Sequence, residues 1–149
     1  MLGIVMTGHG RFASGLLQGV EQVVGPQMQC QAVDFPEGMS TLALAQALNA
    51  ACRACDSGEG VVILSDLLGG SPFRQAALLA AHHGYELLTG TNMQLAAEMM
   101  LERDGLSVTA FRDQALACGR RGADQFVARV SASGGASSPI RCRWYLGRV

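Results

Sequence analysis

The apolar positions change period along the chain, and those changes mark its elements. Residues 2–7 form a short continuous apolar run, as a buried strand should. Phe12, Leu16, Leu17, Val20, Val23 and Val24 then recur at helical spacing, and Gly25-Pro26 stops the helix. Residues 28–35 alternate polar and apolar through Gln29, Cys30, Gln31 and Ala32, which predicts a half-exposed strand at a sheet edge. After a turn at Pro36-Glu37-Gly38, Ser40 caps a second helix with Leu44, Leu48, Ala51, Cys52 and Cys55 on one face. Ser57-Gly58-Glu59-Gly60 breaks it. Residues 61–64 are again continuously apolar, the pattern of a central parallel strand.

A glycine-bearing loop, residues 66–72, follows. Ser71 and Pro72 predict an N-cap and a proline at the first position of a third helix, with Phe73, Ala76, Ala77 and Ala80 as its inner stripe. Gly84 ends that helix and residues 85–89 read as another strand. Gly90-Thr91-Asn92 leads into a helix through Leu95, Met99 and Met100 that Gly105 ends, and a last helix runs from Ser107 to about Cys118. Met93 reads with Met99 and Met100 as core filler. Arg103 and Arg120-Arg121 read as surface charges.

Strands alternating with helices predict right-handed βαβ units. The fold class is α/β: a doubly wound, mostly parallel sheet of strand order 2-1-3-4 with helices on both faces. Residues 1–130 form one domain. Within it, residues 124–130 are ambiguous between a helix end and a short edge strand. Residues 131–149 are a Ser/Gly-rich, linker-like tail.

Composition narrows the function. The 149 residues suit one domain, and 49% hydrophobic with 15% charged residues predicts a folded chain. A formal net charge of −1 favours neither nucleic acid nor an anionic membrane, so protein partners or small ligands are expected. The apolar N-terminus is short and lacks a basic region, which argues against a signal peptide, and no apolar run approaches the ~20 residues of a spanning helix. A cytoplasmic protein is expected. Five cysteines, an odd count, read as reduced thiols, and Cys52-Arg53-Ala54-Cys55 lies in a helix, where packing explains it. His82-His83 cannot share a helix face, so they read as solvated helix-end residues; no metal site is expected.

In an open parallel sheet, ligands bind beyond the carboxyl ends of the strands where strand order reverses. For order 2-1-3-4 that point lies between the first and third strands. The residues just past them are Thr7-Gly8-His9-Gly10 and Ser65-Asp66-Leu67-Leu68-Gly69-Gly70-Ser71-Pro72. An aspartate bonded to one imidazole nitrogen fixes the tautomer and leaves the other as a nucleophile able to hold a phosphoryl group. Asp66 would stabilise positive charge on the His9 ring, while backbone N–H groups at Gly69, Gly70 and Ser71 offer an anion site at a helix N-terminus. Thr7, Arg11 and Arg74 are close enough in sequence to contact phosphate or a partner. Gly8-His9-Gly10 fails the full dinucleotide pattern, although Asp34 could mimic a ribose-binding acid; no P-loop motif is present.

These residues resemble the enzyme IIA component of the mannose-type sugar phosphotransferase system. The resemblance is carried by Ile4-Val5-Met6-Thr7-Gly8-His9-Gly10, Asp34-Phe35, the run from Leu64 through Asp66 to Phe73, Gly90-Thr91-Asn92-Met93 and Gly119-Arg120-Arg121-Gly122, over roughly residues 1–130. Thr-Gly-His-Gly and Phe73-Arg74 look closest to the N-acetylgalactosamine and galactosamine members. The resemblance implies a phosphotransferase that needs no cofactor. Its His9 would accept phosphate from HPr, with Asp66 on Nδ1 and phosphate on Nε2. It would pass the group to a IIB component, which serves the IIC/IID membrane permease. It also implies a homodimer exchanging an antiparallel C-terminal edge strand, placed at residues 124–130, and peripheral association with the transporter complex. Family members often continue into a IIB domain. Here only residues 140–149 follow the linker, so IIB is expected on a separate chain. Two alternatives are the similar phosphoacceptor domain of a dihydroxyacetone kinase system and a non-enzymatic nucleotide-binding regulatory module.

Overall fold

Seven residues of the first strand set the position of everything else. The computed structural model describes residues 1–123. Its elements are β1 (Gly3–His9), α1 (Phe12–Val24), β2 (Cys30–Phe35), α2 (Thr41–Cys55), β3 (Val61–Ser65), α3 (Ser71–His83), β4 (Glu86–Leu88), α4 (Met93–Glu102) and α5 (Val108–Arg121). The four strands are all parallel, in the order β2-β1-β3-β4. The expected α/β class and strand order are therefore present. The expected edge strand at residues 124–130 and the tail at 131–149 lie outside the described residues.

The central strands β1 and β3 are buried on both faces, apart from His9 at the end of β1. Their continuous apolar runs conceal a period of two. Ile4, Met6, Val62 and Leu64 point into a core closed by α1, α4 and α5. Val5, Val61 and Ile63 point into a second core closed by α2 and α3. A one-residue slip of either strand would exchange the two sets, so register is strongly specified. β2 is an edge strand with only Val33 buried, matching its alternation.

Local signals hold at most helix ends. The Ser40 hydroxyl accepts from the Ala43 N–H, Asn92 accepts from the Leu95 N–H, and Ser107 from the Ala110 N–H. Gly84 closes α3 in the left-handed region at φ 73°. Three expectations about these elements need correction. The N-cap of α3 is Gly70, not Ser71; Ser71 and Pro72 are its first helical residues, because the loop turns one residue earlier. α4 ends at Glu102 with Arg103 as its C-cap, three residues ahead of Gly105. Met93, at the start of α4, is exposed and lies over Gly19 of α1 rather than filling the core; Met99 and Met100 are buried as expected.

Arg103 departs most from its expected place. It is only 1% exposed. Its guanidinium donates to the carbonyls of Leu2 (3.0 Å), Gln29 (3.3 Å) and Met28. These carbonyls lie where the chain enters β1 and β2; the Gln29 carbonyl also takes the Ile4 N–H at 2.9 Å, and buried carbonyls need donors. Arg120 and Arg121 are exposed, and Arg121 pairs with Glu98 at 3.1 Å. His82 and His83 are exposed at the end of α3, where His83 stacks on Tyr85. Cys52 and Cys55 are buried in α2, and burial pushes both thiols up, Cys52 to about 12. Among the described residues no helix is long and apolar enough to cross a membrane.

Candidate functional site

β1 and β3 lie side by side, with Thr7 opposite Ser65, so His9 and Asp66 leave adjacent strand ends on the same edge of the sheet. Their side chains meet there. His9 Nδ1 lies 2.7 Å from Asp66 Oδ2, and the His9 backbone N–H donates to the same oxygen at 2.8 Å. The Leu67 N–H donates to Oδ1 at 2.7 Å and the Ser65 hydroxyl reaches it at 3.4 Å. Burial pushes the Asp66 carboxyl up, but the hydrogen bonds from the His9 N–H, the His9 ring and the Leu67 N–H outweigh it. The net effect holds Asp66 below its ordinary value. Asp66 therefore stays ionised and acts as an acceptor for the ring.

With Nδ1 committed to Asp66, the Nε2 edge of His9 is the free one. That edge lies against Gly70. A Cβ on Gly70 would fall 2.5 Å from His9 Cε1 and 3.1 Å from Nε2. Gly70 is the N-cap of α3, so Nε2 faces the first turn of a helix whose Ser71 and Phe73 N–H groups have no intrahelical acceptor. α3 carries no acid in its first turn. The helix dipole is thus left uncompensated where an anion on Nε2 would sit. The His9 side chain is 46% exposed and that of Asp66 10%, so the acceptor is sheltered and the imidazole open.

The sequence-predicted residues are placed differently from one another. His9, Asp66 and Gly70 are in contact. Gly69, at φ 88°, makes the turn that presents Gly70 and Ser71 beside them. Thr7 is not at the surface: it is fully buried and its hydroxyl donates to the Val33 carbonyl at 3.0 Å, tying β1 to β2. It cannot contact phosphate or a partner, which corrects that expectation. Arg11 and Arg74 are exposed. Asp34 is engaged elsewhere, accepting from the Ser14 N–H (2.9 Å) and the Ser14 hydroxyl (2.6 Å) at the start of α1. That occupies the acid a nucleotide ribose would need.

Three further groups complete the site. The Phe35 ring meets His9 edge-on at 6.0 Å. The Leu67 N–H is a backbone donor, legible only as the residue after an aspartate in a turn. Gly8 provides room, since a Cβ there would sit 2.5 Å from Phe12 Cδ1 and 3.0 Å from Asp66 Cβ. Among the described residues, no group of three or more His, Cys, Asp or Glu side chains could hold a metal ion.

Known proteins share the sequence pattern and the fold. A family profile described as "PTS system fructose IIA component" matches residues 3–116. An Escherichia coli K12 protein, YadI, named as a candidate phosphotransferase enzyme IIA component, is 36% identical over 120 residues, covering 80% of this chain and 82% of its own. The E. coli mannose-specific EIIAB component of the PTS system is 33% identical over 104 residues, 69% of this chain but 32% of that longer protein. The crystal structure of phosphotransferase system component EIIA from Streptococcus agalactiae superposes with a TM-score of 0.78 at 26% identity, covering 84% of this chain and 97% of that one. The mannose/sorbose-specific IIA subunit from Enterococcus faecalis shares the fold, with a TM-score of 0.79 at 17% identity over 88% and 98% of the two chains.

Proposed function

The chain belongs to the mannose-type enzyme IIA family of the sugar phosphotransferase system, and from that premise we propose that it is a phosphocarrier working through His9. The carrying observation is the 2.7 Å contact between His9 Nδ1 and Asp66, which leaves Nε2 as the open nucleophile. The Nε2 lone pair attacks the phosphorus of a phosphohistidine on HPr. The donor N–P bond breaks, its electron pair stays on the donor imidazole, and a new N–P bond forms on His9. Asp66 holds the Nδ1–H and offsets the positive charge that grows on the ring during attack. The N–H groups around Gly69, Gly70 and Ser71 receive the phosphoryl oxygens. The reverse sequence delivers the group to a histidine of a IIB component, which serves the IIC/IID permease. Positioning and charge stabilisation are what phosphoryl transfer chiefly requires.

The same reading places the protein in the cytoplasm, beside its membrane transporter, in the N-acetylgalactosamine or galactosamine branch. A homodimer completed by strand exchange is part of the proposal. Among the described residues β4 pairs only with β3, so its outer edge can accept a further strand. Residues 1–130 act as the carrier domain and 131–149 as its tail. Nucleotide binding is disfavoured, because Asp34 is spent on Ser14.

The test is incubation with phosphoenolpyruvate, enzyme I and HPr. Acid-labile phosphate should appear on His9 and be lost in His9→Ala. Labelling of that variant at the wild-type level would refute the assignment.

A further inference from the structure

We propose that Arg74 binds the phosphoryl group on His9, as a residue that clamps the transferred oxygens; the inference rests on the phosphocarrier reading. Two geometric facts carry it. First, the direction of Gly70 is known: an atom placed at its Cβ position would meet the His9 ring within 2.5 Å, at the Cε1–Nε2 edge. Second, Arg74 follows Gly70 by one turn, with the Arg74 N–H donating to the Gly70 carbonyl at 2.9 Å. Residues four apart share a helix face, and helical side chains lean toward the N-terminus. The Arg74 stem therefore projects over the turn against which His9 Nε2 rests.

The charge at this position has no local use. A cation in the first turn of a helix opposes the macrodipole. Arg74 is exposed and forms no ion pair among the described residues, and no acid in the first turn of α3 balances it. An unpaired guanidinium at an unfavourable helix position beside an open nucleophile fits an anion that arrives only during the reaction. A phosphoryl group on Nε2 supplies that anion, and a planar guanidinium can take two of its oxygens at once.

The test compares wild type, Arg74→Gln and Arg74→Lys in single-turnover transfer from phospho-HPr, with Arg53→Gln as a control for net charge at the far end of α2. A lost charge-assisted bond at an exposed site predicts about a tenfold slower transfer in Arg74→Gln. The apparent KM for phospho-HPr should stay within about twofold, since Arg74 grips the phosphoryl group and not the carrier. Arg74→Lys should recover part of the rate, and the 31P resonance of phospho-His9 should move in Arg74→Gln. Transfer at the wild-type rate in Arg74→Gln would overturn the proposal. So would a loss confined to KM, which would make Arg74 a docking contact, or an equal loss in Arg53→Gln. Absence of His9 label in the wild type would instead remove the phosphocarrier reading itself.

Discussion

Gly70→Ala separates chemistry from folding more cleanly than removal of either site side chain. The new methyl would lie 2.5 Å from His9 Cε1 and 3.1 Å from Nε2. Carbon contacts settle near 3.5–4 Å, so the ring must retreat by about 1 Å. The 2.7 Å contact with Asp66 would then stretch past hydrogen-bond range. A misplacement of that size costs about a hundredfold in rate, or about 2.7 kcal/mol of barrier. Stability should not follow. Gly70 has φ −71°, which alanine adopts freely, and the about 0.4–1 kcal/mol such a replacement gains through the unfolded chain offsets the loss of the exposed His9–Asp66 contact. The ring is 46% exposed and can move into water. Two measurements on one preparation decide the matter: single-turnover transfer from phospho-HPr, and thermal unfolding. The expected result is a rate near one hundredth of wild type with an unchanged or raised Tm. Wild-type transfer would refute the claim that Gly70 is required for space. A fall in rate matched by a fall in Tm would show that the substitution acts on the fold.

Two further outcomes follow from named groups. Asp66 is held below its ordinary pKa in the folded state, so its contribution to stability is fully present above the unfolded value, near 3.8. It is lost as pH falls through the depressed folded value. Denaturant melts of wild type and Asp66→Asn should diverge above pH 4 and converge in stronger acid; a constant difference across that range would contradict the assignment. Arg103→Ala should take the guanidinium from the Leu2 and Met28 carbonyls, while Gln29 keeps the Ile4 N–H, and lower stability by roughly 2 kcal/mol or more in urea titrations, with His9 chemistry per folded molecule unchanged. A loss below about 0.5 kcal/mol would show that water replaces the guanidinium.

The layered architecture was legible because it depends on short-range patterns. The unbroken apolar runs at β1 and β3, the alternation in β2, and the caps at Ser40, Asn92 and Ser107 each state their role within a few residues. The His9–Asp66 pairing was legible one step later, since the strand order brings together residues 57 apart in sequence. What was missed depends on neighbours that no local window contains. Arg103 looks like any charged residue after a helix. Only the fold sets it under carbonyls that lie 74 to 101 positions earlier. Thr7 sits two residues from His9 but points into the sheet, where Val33 takes its hydroxyl. Ser71 carries a capping side chain, yet the cap falls one residue earlier on Gly70, where the His9 ring occupies the space a side chain would need.

That last point explains why the site is bracketed by glycines at all. Gly10 and Gly69 lie at positive φ and make turns. Gly8 and Gly70 do not, and their value lies in missing atoms. A Cβ on Gly8 would press on Asp66 and Phe12, and one on Gly70 would press on the His9 ring. The two groups of the pair are thus held from opposite sides by positions that must stay empty. A histidine on the end of one strand can reach an aspartate on the next only if neither partner is displaced. Nε2 of His9 can stand against a helix N-terminus only if the cap has no side chain. Gly8 and Gly70 therefore belong to the geometry of the His9–Asp66 pair, not to loop flexibility.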